Sequence, residues 1–245
     1  MKIVSLSPSL TEILVYLGAL ADLAGATDLC EANGSLERVG SPKALEISKI
    51  QRLEPDWILA DTRDNRPEEI QVLQKRGRVK VFDVSQLSEV RDGISELGRL
   101  TEKQEGARRL NQGILEEIAK SEAAFRDRPR RRTLLLLWDK PFLTVNFDSY
   151  PSRLIESSGG ENVFRQEPLR EFPVEIEDMI EKNPETLLLA TAPFPFERRH
   201  VARLRQFRVL SRIPIHLTEG KFFCRYGVQT VHALKALRKI FEALP

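Results

Sequence analysis

The sequence predicts an α/β protein of two similar lobes with mainly parallel sheets, joined by one long backbone helix. Three observations carry this. Strands and helices alternate in two separate sets, a proline-free helical stretch divides the sets, and a segment of the first half is echoed in the second. The expected bounds are 1–98 for the N-terminal lobe, 99–129 for the linking helix and 130–245 for the C-terminal lobe.

The first set opens with an apolar strand at 2–5. Ser9-Leu10-Thr11-Glu12 has the form of a capping box, and Leu10, Ile13, Leu14 and Leu17 then share one helix face until Gly18 supplies a left-handed stop. Strands follow at 23–27, 57–60 and 79–83, with helices at 47–53 and 67–76 between them. From Leu87 to Phe125 the apolar residues Leu97, Leu100, Ala107, Leu110, Ile114, Ile118 and Phe125 recur at helical spacing, which predicts one or two long helices. If helical without a break over 101–127, this stretch spans about 40 Å. The run Arg126-Asp127-Arg128-Pro129-Arg130-Arg131-Arg132 closes it. It reads as a solvated helix end whose cations complement the negative pole, with an anionic partner as the other reading. The second set has strands at 133–138 and 142–145, a helix at 150–157 stopped by Gly159-Gly160, a helix at 176–181, a strand at 187–190, a helix at 198–207, a strand at 215–217 and a last helix at 228–243.

The echo aligns 45–60 with 174–189, placing Pro55 over Pro184, with a Glu-Ile pair before each proline and an acid and an apolar strand after it. Proline lacks the amide proton and disfavours helix in the residue before it, so each copy reads as a short helix that ends and hands over to a strand. Repeated order together with repeated letters predicts duplicated lobes.

Composition excludes several classes of function. Of 245 residues, 41% are hydrophobic and 30% charged, which suits a packed globular chain, and a formal net charge of +2 gives no reason to expect nucleic acid. The longest apolar run, Leu134 to Trp138, is far below the roughly 20 residues of a membrane-spanning helix. Met1-Lys2 leads directly into the first strand, so the chain as given is expected in the cytoplasm, and outside it if a leader was removed. Cys30 and Cys224 read as separate thiols, a bridge between them being expected only in a secreted protein.

Dinucleotide, Walker, nucleophile-elbow and zincin motifs are absent, and His200, His216 and His232 have no metal-ligand spacing, so neither catalytic residues nor a protein-held metal is expected. Asp61, Arg63, Asp64, Asn65 and Arg66 make a dense polar group after a strand. They suit bidentate ligand binding or acid–base work, and equally a solvated loop leading into a helix at Pro67.

The segments Ile3-Val4-Ser5-Leu6-Ser7-Pro8-Ser9, Leu17-Gly18-Ala19 to Gly25-Ala26-Thr27-Asp28, Val39-Gly40-Ser41, Leu53-Glu54-Pro55-Asp56 and Gly159-Gly160-Glu161-Asn162-Val163-Phe164 resemble the vitamin B12-binding and iron-siderophore-binding proteins of bacterial ABC importers. The resemblance covers nearly the whole chain. It implies a monomeric substrate-binding protein with no intrinsic cofactor, which takes a corrinoid such as cobalamin, or another metal chelate, in a cleft between the lobes. Carried over by position, the cleft is lined by Cys30 and Glu31, Ser41 and Pro42, Asp61, Arg63 and Asn65, Trp138 and Phe142, Phe172, Phe194 and Phe196, and Phe222, Phe223 and Tyr226. Single aromatics after strands are more often core than contact. Pro193-Phe194-Pro195-Phe196 is the most informative group, because two prolines hold the chain extended as a rim loop. Relatives meet transporter arginines with one glutamate per lobe; Glu177 matches the second, while Ser48 stands at the first. Where B12 binders commonly place a first-lobe tryptophan, this chain has Pro42 and Asp61-Thr62. The alternative is an intracellular derivative of the fold, a carrier, sensor or small-molecule enzyme using Asp61, Arg63 and Glu31.

Overall fold

The computed structural model describes residues 1–32 and 36–244. The chain divides into two compact units, one of Met1–Val84 with Ser88–Gln112, the other of Ser85–Leu87 with Gly113–Pro245.

The first unit contains β1 (Ile3–Ser5), α1 (Pro8–Tyr16), β2 (Leu23–Ala26), β3 (Glu37–Arg38), the β4 (Gly40–Ser41) and β5 (Ala44–Leu45) hairpin, α2 (Ile47–Arg52), β6 (Trp57–Asp61), α3 (Pro67–Gln74), β7 (Val79–Phe82), nearly all of α4 (Leu87–Leu100) and the start of α5 (Gln104–Ala124). Its main sheet runs β3-β2-β1-β6-β7 with every pair parallel. Val4, Leu6, Ile58 and Ala60 face Ile50, Ile70 and Leu73 of the helices on one side. Ile3 and Leu59, one residue out of phase with them, are also fully buried, so both faces are covered.

One expectation is corrected here. The capping box does not open α1: Pro8 takes the first helical position, Ser7 precedes it in extended conformation, and the Ser7 hydroxyl donates to Asp64 Oδ2 at 2.5 Å. The stretch from 87 to 125, read as one or two long helices, is two. Glu102 adopts φ 57 between them, and Gly98 lies so close to Ala107 that a Cβ on it would overlap the alanine side chain. The chain turns there because a glycine lets two helices approach, a tertiary contact that overrides good helical spacing. The long helix is therefore the 21-residue α5, about 31 Å rather than 40 Å.

The second unit takes the rest of α5 and adds β8 (Arg131–Leu136), β9 (Trp138–Asp139), β10 (Phe142–Val145), α6 (Tyr150–Ser157), β11 (Gly160–Asn162), β12 (Glu171–Val174), α7 (Ile176–Glu181), β13 (Thr186–Ala190), α8 (Arg198–Leu204), β14 (Ile215–Thr218), α9 (Lys221–Cys224) and α10 (Val228–Glu242). Its parallel sheet is β11-β8-β13-β14, the same order as β2-β1-β6-β7 in the first unit. The strand expected at 133–138 divides, because the Leu137 amide donates to Leu143 O and carries Trp138 into a separate antiparallel sheet, β12-β10-β9.

The echoed segment proves to be one device used twice. In each unit a six-residue helix ends at a residue with positive φ, Glu54 (46°) or Asn183 (45°), followed by the aligned proline. The acid after the proline then closes a reciprocal pair with the start of the neighbouring strand. Lys2 N donates to Asp56 Oδ2 at 2.7 Å while Asp56 N donates to Lys2 O at 2.8 Å; Arg132 N donates to Glu185 Oε2 at 2.9 Å while Glu185 N donates to Arg132 O at 2.7 Å. Replacing Glu185 by Ala removes one charge-assisted acceptor at an exposed strand end. A loss of about 1 kcal/mol is expected in urea unfolding, and an unchanged midpoint counts against a register role.

Within the second unit, Glu117 of α5 is buried and receives Lys120 at 2.6 Å and Arg238 of α10 at 3.2 Å, while Arg238 also holds Glu242 at 3.1 Å. Burial by itself raises the Glu117 carboxyl, but the two cations outweigh it and hold the group below the ordinary carboxylate range. A depressed folded-state value contributes stability that is complete above the unfolded value and lost as pH falls through the folded one. The parent protein should therefore lose more stability on acidification than Glu117→Gln, measured as unfolding midpoints from neutral pH downward.

Candidate functional site

Parallel strands put their carboxyl ends on one edge, where the following loops collect and open sheets place ligands. In the first unit this edge holds Ser5, Thr27 and Asp61 with the residues that follow each of them. The groups there bond mainly to one another. Thr11 Oγ1 lies 2.8 Å from Ser5 Oγ, and Asn65 Nδ2 donates to Leu6 O at 3.0 Å and Pro42 O at 3.1 Å. Asn65 Oδ1 accepts the Asp61 amide at 2.9 Å, and Asp61 Oδ1 accepts the Arg63 amide at 2.8 Å. Thr27 Oγ1 sits 3.2 Å from Cys30 Sγ, and Arg38 Nη1 donates at 2.9 Å to the carbonyls of both Thr27 and Cys30.

This placement sorts the first-lobe residues singled out by sequence. Cys30, Pro42, Asp61 and Asn65 are buried and hold the loops together, while Glu31 and Arg63 are exposed and Ser41 is half-buried. Burial pushes the Cys30 thiol up, which keeps it neutral, and the structure records it and Cys224 as free cysteines. As contacts, Cys30, Pro42, Asp61 and Asn65 have little surface to offer; their role is to hold Ser41, Glu31 and Arg63 in place.

The second unit presents an aromatic edge. Trp138 follows β8 and is 39% exposed; its ring lies 5.6 Å from that of Phe194, which follows the adjacent strand β13. Phe194 packs on Phe196 at 4.9 Å and on His200 at 5.2 Å, and both of these are buried. His200 Nδ1 accepts the Glu197 amide at 2.9 Å, which satisfies an otherwise orphan donor at the start of α8. Arg203, one turn further along α8, ion-pairs with Asp139 and places its guanidinium 5.5 Å from the Phe142 ring centre. Buried Phe196 and His200 thus back the Phe194 ring, and Trp138 packs on it.

The remaining predicted aromatics scatter. Phe172 packs edge-on against buried Phe164 at 5.6 Å, on the core of this unit, and Phe142 packs against the same core. Phe223 and Tyr226 are buried, the latter edge-on to Tyr150 at 6.2 Å, so both are core residues; Phe222 beside them is half-buried. Sequence reasoning missed His200, whose signal was its place three residues after Glu197 at a helix start. Glu177 and Ser48 are exposed in the first turns of α7 and α2, the two helices of the repeat. Among the described residues no group of three or more His, Cys, Asp or Glu side chains is arranged to hold a metal, and no helix is long and apolar enough to cross a membrane.

Comparison with known proteins accords with this geometry. The family described as periplasmic binding protein matches residues 3–213. A vitamin B12-binding protein of Vibrio vulnificus (strain YJ016) is 27% identical over 194 residues, covering 77% of this chain and 71% of that one. The vitamin B12-binding protein of Salmonella typhimurium is 22% identical over 239 residues, covering 96% and 88%. Among solved structures, the periplasmic vitamin B12 binding protein BtuF of Vibrio cholerae superposes with a TM-score of 0.81 at 22% identity, covering 98% of this chain and 96% of that one. The periplasmic heme binding protein HutB of the same organism gives 0.83 at 21% identity, with 98% of each chain covered. These likenesses establish the fold.

Asn65 offers a test of the polar edge. Asn65→Ala leaves an amide and two carbonyls without their partner, and a cost of roughly 2–4 kcal/mol is expected in urea unfolding. A loss below about 1 kcal/mol means that the network does not hold these loops.

Proposed function

Since the chain belongs to the periplasmic binding protein family, we propose that it captures a flat metal chelate, with a corrinoid as first choice, for delivery to an ABC-type importer. Its work is binding rather than catalysis, as in the relatives it matches. The observation that carries the ligand class is the Trp138–Phe194 pair, half-exposed at the carboxyl ends of adjacent parallel strands, with Phe194 backed by buried Phe196 and His200. Rigid aromatic faces gain contact area against a planar, partly apolar ligand at little cost in side-chain entropy. Relatives named for vitamin B12 and for heme support a large planar macrocycle carrying its own metal.

Polar substituents of such a ligand find candidates in Glu31, Ser41 and Arg63 of the first unit. Arg63 suits a carboxylate or phosphate, because a guanidinium donates two parallel hydrogen bonds. Delivery uses Glu177 toward an importer arginine; Ser48, its counterpart in α2, provides only a hydroxyl, so attachment through the first lobe is the weaker one. The relatives' periplasmic designation favours the extracytoplasmic of the two expected locations.

Calorimetric titration with cobalamin, heme and a ferric siderophore tests this reading. Saturable binding is expected for at least one, strongest for cobalamin, and Trp138→Ala should weaken it roughly tenfold or more with an unchanged unfolding midpoint. Flat titrations with all three eliminate the ligand class. Full affinity in Trp138→Ala moves the site away from this aromatic edge.

A further inference from the structure

A cavity of about 500 Å³ lies within the second unit, away from its aromatic edge. Its walls come from the end of α5, the segment leading into β8, the end of α6 and the turn before β11. These are the amino ends of β8 and β11, whereas Trp138 and Phe194 follow the carboxyl ends of β8 and β13. The cavity is therefore separate from the surface assigned to the chelate.

Four arginines line it, Arg126, Arg128, Arg130 and Arg153, against two carboxylates, Glu122 and Glu156. Two of the cations are engaged locally. Arg130 donates to the carbonyls of Glu156 and Gly160, and the Arg153 guanidinium stacks 3.2 Å from the Phe147 ring centre. Glu156 is turned partly to the backbone, with Oε1 accepting the Asn162 amide at 3.4 Å. The guanidinium groups of Arg126 and Arg128 carry no ion pair or hydrogen bond among the described residues. Helix ends attract cations, and Arg130 answers that need. Arg126 and Arg128, exposed just past the end of α5, add two more guanidiniums to the same wall, and one anion can accept from all three.

We propose that this cavity binds a phosphate group, through Arg126 and Arg128 with Arg130 behind them. A tetrahedral oxyanion accepts the paired donors of several guanidiniums at once, and the volume admits more than inorganic phosphate alone. The group is supplied either by a soluble phosphate compound or by the headgroup of an anionic phospholipid. This binding is independent of the chelate, so failure of either reading leaves the other standing.

The test uses the full chain in two double variants of equal net charge. Arg126→Ser with Arg128→Ser removes the cavity cations, and Arg205→Ser with Arg208→Ser removes two exposed cations after α8. Pyrophosphate is titrated by calorimetry at low and high salt, and sedimentation is followed with vesicles of phosphatidylcholine alone or mixed with phosphatidylglycerol. Wild type and the Arg205/Arg208 variant should bind one or both anionic probes, less at high salt, and the Arg126/Arg128 variant roughly tenfold more weakly or worse. Pyrophosphate binding without vesicle binding identifies a soluble phosphate compound, and the converse a lipid headgroup. Absence of both in wild type, or equal loss in the two double variants, overturns the site. Cobalamin titrated into the same variants reads the chelate surface separately.

Discussion

The structure rests on a pair of reciprocal hydrogen bonds made twice, Lys2 with Asp56 and Arg132 with Glu185. Parallel strands cannot have their register set by a tight turn, because the chain must travel back through a helix before it pairs again. Here the register is set where the returning strand begins. A proline follows the helix, the next residue is an acid, and its carboxylate and amide clamp a residue at the amino end of the neighbouring strand. A slip of one residue would turn every side chain to the wrong face of the sheet. With the amino ends fixed, Ser5 comes level with Leu59, and Leu136 with Leu189, and the loops that follow gather on one edge.

That device was legible in the sequence because it is local. A proline, an acid after it and an apolar run lie within a few residues, and their recurrence exposed the duplication. Features decided by contacts between distant residues were harder to read. The break between α4 and α5 depends on Gly98 meeting Ala107, and nothing in the spacing of Leu97, Leu100 and Leu110 announces it. Ser9 and Glu12 carry the letters of a capping box, yet Pro8 begins the helix two residues earlier and Ser7 turns to Asp64, a residue far along the chain.

The site shows the same division. Position after a strand marked loops of the carboxyl edge, since any residue there lies on it. Direction was not legible. Phe194 and Phe196 are two residues apart in one proline-held loop, yet one ring is partly exposed and the other buried against His200. Cys30, Asp61 and Asn65 are polar residues in loops or at a strand end, the pattern usually read as contact, and all three are buried because backbone groups of neighbouring loops need partners that water does not reach. A residue-type argument finds the neighbourhood of a site; which side chains face outward depends on what must be satisfied beneath them.

Taken separately, the two carboxyl edges are built for different tasks. The first is a closed polar network in which Asn65 alone serves one amide and two carbonyls, so its loops are ordered before any ligand arrives. Such an edge gains little from apolar contact and acts on orientation, since an ordered donor or acceptor discriminates strongly against a group that fails to pair with it. The second edge leaves much of Trp138 in water. Covering roughly 80–100 Å² of such a ring is worth about 2 kcal/mol at the usual apolar coefficient, a sizeable share of a micromolar affinity of about 8 kcal/mol. On the proposed chelate reading, affinity comes mainly from the aromatic edge, and the polar edge serves selectivity.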